Sequence, residues 1–173
     1  METLVDLLKI VLPAALVLFA MYITVKSFLA KEFEKRVVEL KLKNSDIVLP
    51  IRLQAYERMC LFLERISPHN LVIRVNEPGL EVAHFHQKLL SEIRDEYNHN
   101  LSQQVYMSHQ SWNLVKKAME EVVAVINKSA LDVPRDAKGI ELAKMIFENL
   151  MQRNHDPIAP ALKYIKDEIG QVF

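Results

Sequence analysis

The sequence predicts an all-α protein, with an N-terminal transmembrane helix continuing into a juxtamembrane helix and then a bundle of about five helices. Three observations carry this. Only 3 of the 173 residues are glycine, too few for a turn-rich β architecture. Opposite charges fall four residues apart, as in Glu32/Arg36 and Glu39/Lys43, a spacing that pairs side chains on a helix but not on a strand. The run from Ile10 to Val25 (IVLPAALVLFAMYITV) carries no charge. The expected organisation is a tail and span over 1–27, a juxtamembrane helix over 28–48 and a helical domain over 49–173.

The span comes first. Sixteen residues at about 1.5 Å each cover roughly 24 Å, slightly less than a hydrocarbon core of about 30 Å. Leu7 and Leu8 add half a turn, and the aliphatic stems of Lys9 and Lys26 let their ammonium groups reach the interface. Pro13 lies near one end, where a lost backbone hydrogen bond costs least, and Leu16, Phe19 and Tyr22 continue the apolar run, Tyr22 as an interfacial aromatic. A cleaved signal peptide would need a basic start and a small-x-small cleavage site, whereas Glu2 and Asp6 open this chain. A buried core helix or an interfacial helix would be apolar on one stripe, and here every face is apolar.

Orientation follows from the flanks. Lys26, Lys31, Lys35 and Arg36 follow the span, and Lys9 alone precedes it, so the C-terminal side is expected to stay in the cytoplasm and the N-terminus to lie outside. The juxtamembrane cluster is then placed to meet anionic lipid headgroups. The single cysteine, Cys60, fits a reducing compartment and reads as a small buried apolar side chain.

From Lys26 to about Lys43, Leu29, Phe33, Val37 and Leu40 share a helix face. A strand competes at the end of this stretch, where Val38, Leu40 and Leu42 alternate with charged residues. Asn44, Ser45 and Asp46 predict a break. Pro50 then suits the first turn of a helix running to about Ile66, with Leu53, Tyr56, Met59, Cys60, Leu63 and Ile66 inward. Ser67-Pro68 ends it. Leu71 to Val75 (LVIRV) reads as a short strand or a buried turn, and Asn76-Glu77-Pro78-Gly79 as a turn.

A helix from near Leu80 carries Val82, Phe85, Leu89, Ile93 and Tyr97. The polar, weakly helical stretch around 98–108 predicts a weak point or break. Ser108 reads as the N-cap of a helix with Trp112, Val115, Met119, Val122 and Ile126 inward, closed by Val133-Pro134. Further helices are expected over about 136–153, with Ile140, Ala143, Ile146, Phe147 and Leu150 inward, and about 157–169.

The stretches Leu49 to Leu71 (LPIRLQAYERMCLFLERISPHNL) and Glu96 to Ser108 (EYNHNLSQQVYMS) resemble a family of uncharacterised bacterial proteins with one N-terminal span and a helical soluble part. The resemblance covers nearly the whole chain. It implies a topology, with the span expected in the inner membrane, and nothing about catalysis.

Chemistry is sparse. The 22 basic and 22 acidic residues cancel, so no global field recruits nucleic acid. No Gly-x-Ser-x-Gly elbow occurs, and Gly79, Gly139 and Gly170 are too scattered for a phosphate loop. Two Glu-x-x-His pairs, Glu81/His84 and Glu96/His99, match part of a di-iron bundle site, yet they lie roughly 22 Å apart on a continuous helix and His84 points away from the core. The expected function is a non-catalytic scaffold or protein-interaction module at the cytoplasmic membrane face; a membrane-tethered metal-dependent enzyme using His and Glu residues between 81 and 109 is the alternative, and no cofactor is called for. His86 falls on the apolar stripe and Glu96 at its edge, where each needs a partner. His69 reads as a loop side chain, and His109 and His155 carry weaker claims. The run Asn98 to Gln110 is the most polar stretch, read as an inter-helix hydrogen-bond network or a recognition patch. His86, Glu96, Asn100, Gln103, Gln104 and Trp112 are the candidate interaction residues. The expected partners are membrane lipid and either a protein or a second copy of the chain.

Overall fold

The computed structural model describes residues 2–153 and 156–172, and of 2–5, 8, 10, 44 and 172 the backbone alone. Among the described residues there are six α-helices: α1 (Glu2–Ile66), α2 (Pro68–Val75), α3 (Val82–Asn100), α4 (His109–Leu131), α5 (Gly139–Arg153) and α6 (Ala159–Val172). A 3-10 helix, Leu101–Tyr106, joins α3 to α4. The protein is all-α, as its glycine content and charge spacing predict. The chain divides into two compact units, Met1–Leu49 and Pro50–Phe173.

The alternating stretch Val38–Lys43 is helical, as the expected juxtamembrane helix requires, and the competing strand does not form. The expected break is corrected: none occurs at Asn44, Ser45 and Asp46. These three residue types each cost only a few tenths of a kcal/mol in a helix interior, too little to stop one. Pro50 consequently lies inside α1 and does not open a new helix. Lacking an N–H and crowding the carbonyl four residues back, it is costly there by about 3 kcal/mol. The next turns offset that cost, since Ala55, Tyr56, Met59, Phe62, Leu63 and Ile66 are all buried.

Ser67-Pro68 does end α1. The Ser67 hydroxyl and the Asn70 amide both donate to the Glu64 carbonyl, at 2.8 and 2.9 Å, which occupies an acceptor the helix end would leave unpaired. Pro68 starts α2 with its ring-fixed φ, and the segment read as strand or turn is this helix, burying Leu71, Val72 and Val75. His69 belongs to α2, not to a loop, with its ring 6.0 Å from that of Phe147. The turn over 76–79 is present, with Gly79 at φ +89°, a backbone state that side-chain-bearing residues rarely adopt.

The second unit is a bundle in which α4 packs on α3, α5 and α6, while α2 packs on α3 and α5. Val82, Phe85, Leu89 and Ile93 of α3 face Val115, Val122 and Ile126 of α4 and Leu142 and Ile146 of α5 in one core. Ser108 caps α4, its hydroxyl accepting from the Ser111 N–H at 3.1 Å. Ile140, expected inward, is 45% exposed. The reason is that α5 begins at Gly139, and the buried side of its first turn belongs to that glycine, whose backbone N–H donates to the Leu80 carbonyl at 2.7 Å.

The start of α3 has no side-chain cap from Glu81. Its first amides donate elsewhere, Val82 to the Ala137 carbonyl (2.9 Å) and Ala83 to that of Arg135 (3.2 Å), beside a single antiparallel bridge between Glu81 and Lys138. The connection before α3 is thereby sewn to the connection before α5. Inside the bundle Asn149 donates to the Ser129 hydroxyl at 2.9 Å, and Ser129 donates to the Val125 carbonyl at 2.9 Å, so this buried polar pair is satisfied.

Candidate membrane segment and interaction surface

α1 is the one helix among the described residues long and apolar enough to cross a membrane, with an 18-residue window of mean hydropathy 1.8, none of it buried. Leu16, Val17, Leu18 and Phe19 step about 100° apart and so point round the whole helix. They are 62–67% exposed, and the neighbouring Leu7, Pro13, Tyr22 and Val25 are exposed too. Exposing one large aliphatic side chain to water forgoes about 1.5–3 kcal/mol, so a full ring of them has no aqueous rationale.

The polar groups near this segment are locally managed. The Thr24 hydroxyl donates to the Ala20 carbonyl at 2.8 Å, which needs no water. The Lys26 ammonium lies 5.9 Å from the Tyr22 ring centroid. Lys9 pairs with Asp6 at 3.1 Å in the open. Lys31, Lys35 and Arg36 are exposed on α1. The side chain of Ile10 and any role of His155 lie outside the described residues.

The six candidate interaction residues do not form one patch. His86 is half-buried, its Nε2 2.8 Å from the Asn127 Oδ1, joining α3 to α4. Glu96 lies ten residues further, about 15 Å along α3. It takes Arg65 at 2.5 Å and Arg74 at 3.7 Å, and Arg74 also reaches Glu92 at 3.6 Å, so the carboxylates tie α3 to α1 and α2. Asn100 is buried and donates to the Glu96 backbone carbonyl at 2.9 Å. Gln103 donates to its neighbour Ser102, and Gln104 is exposed. Trp112 is half-buried and stacks on Tyr97. The inter-helix polar contacts thus come from His86 and Glu96 and not from the glutamines.

The Glu-x-x-His pairs are likewise separate. His84 faces solvent beside Glu81 at 3.9 Å. His99 lines a shallow concavity with Arg65, Glu92, Asp95 and Glu96. Among the described residues no three His, Cys, Asp or Glu side chains converge as a metal site would need. Burial pushes the Cys60 thiol up, which disfavours the reactive thiolate.

One polar cluster has no counterpart in the sequence reading. The Ser111 hydroxyl donates to Glu168 of α6, and Arg52 donates to the Tyr106 carbonyl at 3.4 Å. The Tyr56 hydroxyl is buried close to Glu168 and Arg52 but makes no hydrogen bond of ordinary geometry among the described residues. Burial raises the Glu168 carboxyl. The hydroxyls of Ser111, Tyr56 and Ser108 and the Arg52 charge outweigh it, leaving the group below its usual value. The cluster joins α1, α4 and α6.

The profile of a family of unknown function, DUF7935, matches residues 2–172. The chain belongs to this family. No curated protein and no solved structure matches it. The DUF7935 match takes in both compact units, so the apolar segment and the helical domain belong to one family region. In this DUF7935 protein the polar contacts of the second unit hold its own helices together, while large apolar exposure is concentrated on α1.

Proposed function

We propose that this protein is a single-span membrane-anchored scaffold. In this reading α1 crosses the bacterial inner membrane, and the helical domain, on the cytoplasmic face, binds a protein partner or a second copy of the chain without catalysis. The observation that carries it is the complete ring of exposed apolar side chains at Leu16–Phe19, which a lipid environment would cover. The basic side chains at Lys26, Lys31, Lys35 and Arg36 support the orientation. The titratable groups of the helical domain support a non-catalytic role, since Glu92, Glu96 and Glu168 are each engaged in joining helices.

Carbonate extraction and site-directed labelling test this in a Cys60→Ala background. The protein should stay in the membrane pellet at alkaline pH. A membrane-impermeant maleimide should label Asp6→Cys from outside, and Lys163→Cys only after lysis. Release by carbonate, or labelling of Lys163→Cys in sealed cells, overturns the reading.

A further inference from the structure

We infer that two copies of the chain associate in parallel through residues 30–47 of α1, as a two-stranded coiled coil directly after the span. This deepens the scaffold reading and rests on its topology.

Within this stretch Ala30, Phe33, Val37, Leu40, Asn44 and Ile47 recur in steps of three, four, three, four and three. That is a heptad, with 30, 37 and 44 at position a and 33, 40 and 47 at position d. A 3.5-residue repeat keeps one seam on one side of a helix over five turns, unlike the all-round apolarity of the span. Phe33 is 75% exposed, Leu40 62% and Ile47 65%, so among the described residues nothing in the first unit covers these three. The b, c and f positions opposite are mostly charged or polar, with Val38 and Leu42 the apolar exceptions.

The occupant follows from residue types and area. A β-branched residue at a (Val37) with leucine at d (Leu40) favours two strands, and a shared span orientation makes the pair parallel. Five apolar seam residues per chain, at roughly 100 Å² each, give a dimer about 1,000 Å² of buried surface, the lower bound for a specific interface. Anchoring adds what that area lacks, because a shared membrane aligns both copies and raises their effective concentration. One contact opposes pairing: Arg36 at g meets Lys41 at e of the second copy. This keeps the dimer reversible and supplies the sharpest test.

Sedimentation of the full-length chain in density-matched detergent should show a reversible dimer. Phe33→Asn/Leu40→Asn should weaken it about 100-fold. Lys41→Glu should tighten it about fivefold, because each introduced carboxylate meets Arg36 of the other copy. If the face instead lies on anionic lipid, Lys41→Glu lowers vesicle binding and leaves the mass unchanged, which overturns the proposal. In native membranes, with Cys60→Ala, oxidation should cross-link Ile47→Cys to itself and leave Ser45→Cys monomeric. A cross-link to a different protein, or equal cross-linking at both positions, also overturns it. Carbonate extraction of the same variants separates the two readings. Variants that remain membrane-bound but never self-associate sink the dimer alone, whereas protein released by carbonate sinks the anchor.

Discussion

The Trp112 indole lies stacked on the Tyr97 ring, 5.7 Å between centroids and 27° between planes, and Tyr97 leans in turn on Phe62 at 6.2 Å. Three helices, α4, α3 and the end of α1, meet through these rings. The single tryptophan therefore reports directly on whether the bundle is assembled.

Tyr97→Ala should destabilise the helical domain by about 2–3 kcal/mol, through lost ring area and stacking. Tyr97→Phe, which keeps the ring, should stay within about 0.5 kcal/mol. Urea unfolding of the full chain in detergent, followed by Trp112 emission, measures both, and equal losses would show that the ring contacts are not what matters.

The Ser129–Asn149 pair predicts strong coupling. Ser129→Ala leaves a buried amide without its acceptor and should cost about 2 kcal/mol. Ser129→Ala/Asn149→Leu removes both partners and should cost clearly less than the sum of the single changes, with a coupling of about 1 kcal/mol in a double-mutant cycle.

Glu168 predicts an acid limb of stability. Its carboxyl is held below the ordinary glutamate value near 4.5, so the unfolded chain takes up the proton first on acidification. The contribution is fully present above that value and is lost as pH falls through the lower folded one. Glu168→Gln should cost about 1 kcal/mol at neutral pH, with the gap to the parent closing as the pH drops below 4.5, read from urea midpoints across the range.

Two glycines should respond in opposite directions. A Cβ at Gly139 would sit 3.1 Å from the Leu80 carbonyl oxygen and 3.3 Å from the Phe85 Cβ, both held in the core. At Gly170 nothing lies within 4 Å. Gly139→Ala should lose about 1 kcal/mol, and Gly170→Ala, in α6, should gain about 0.5 kcal/mol from helix propensity. Thermal unfolding decides the signs.

What was legible in the sequence was local. The N-cap at Ser108, the turn at Pro78-Gly79 and the stripe Val82, Phe85, Leu89 and Ile93 each depend on neighbours within two turns, and each is where periodicity and capping chemistry place it. Helix continuity through Asn44–Pro50 was not legible, because a proline there reads equally as a first-turn residue. Glu168 escaped notice because its donor Ser111 and the neighbouring Tyr56 and Arg52 come from α4 and α1, distant in the chain. The polar run after Asn98 drew attention by composition, but Gln103 and Gln104 bridge no helices, whereas Asn127, an unremarked surface residue of α4, meets His86.

The lacing of residues 80–83 to residues 135–139 sets a timetable for biosynthesis. The amides that open α3 acquire their acceptors only from a segment made more than fifty residues later, so a chain still emerging from the ribosome holds that helix with a ragged start. The domain accordingly closes as a whole only after residues 135–139 have been made.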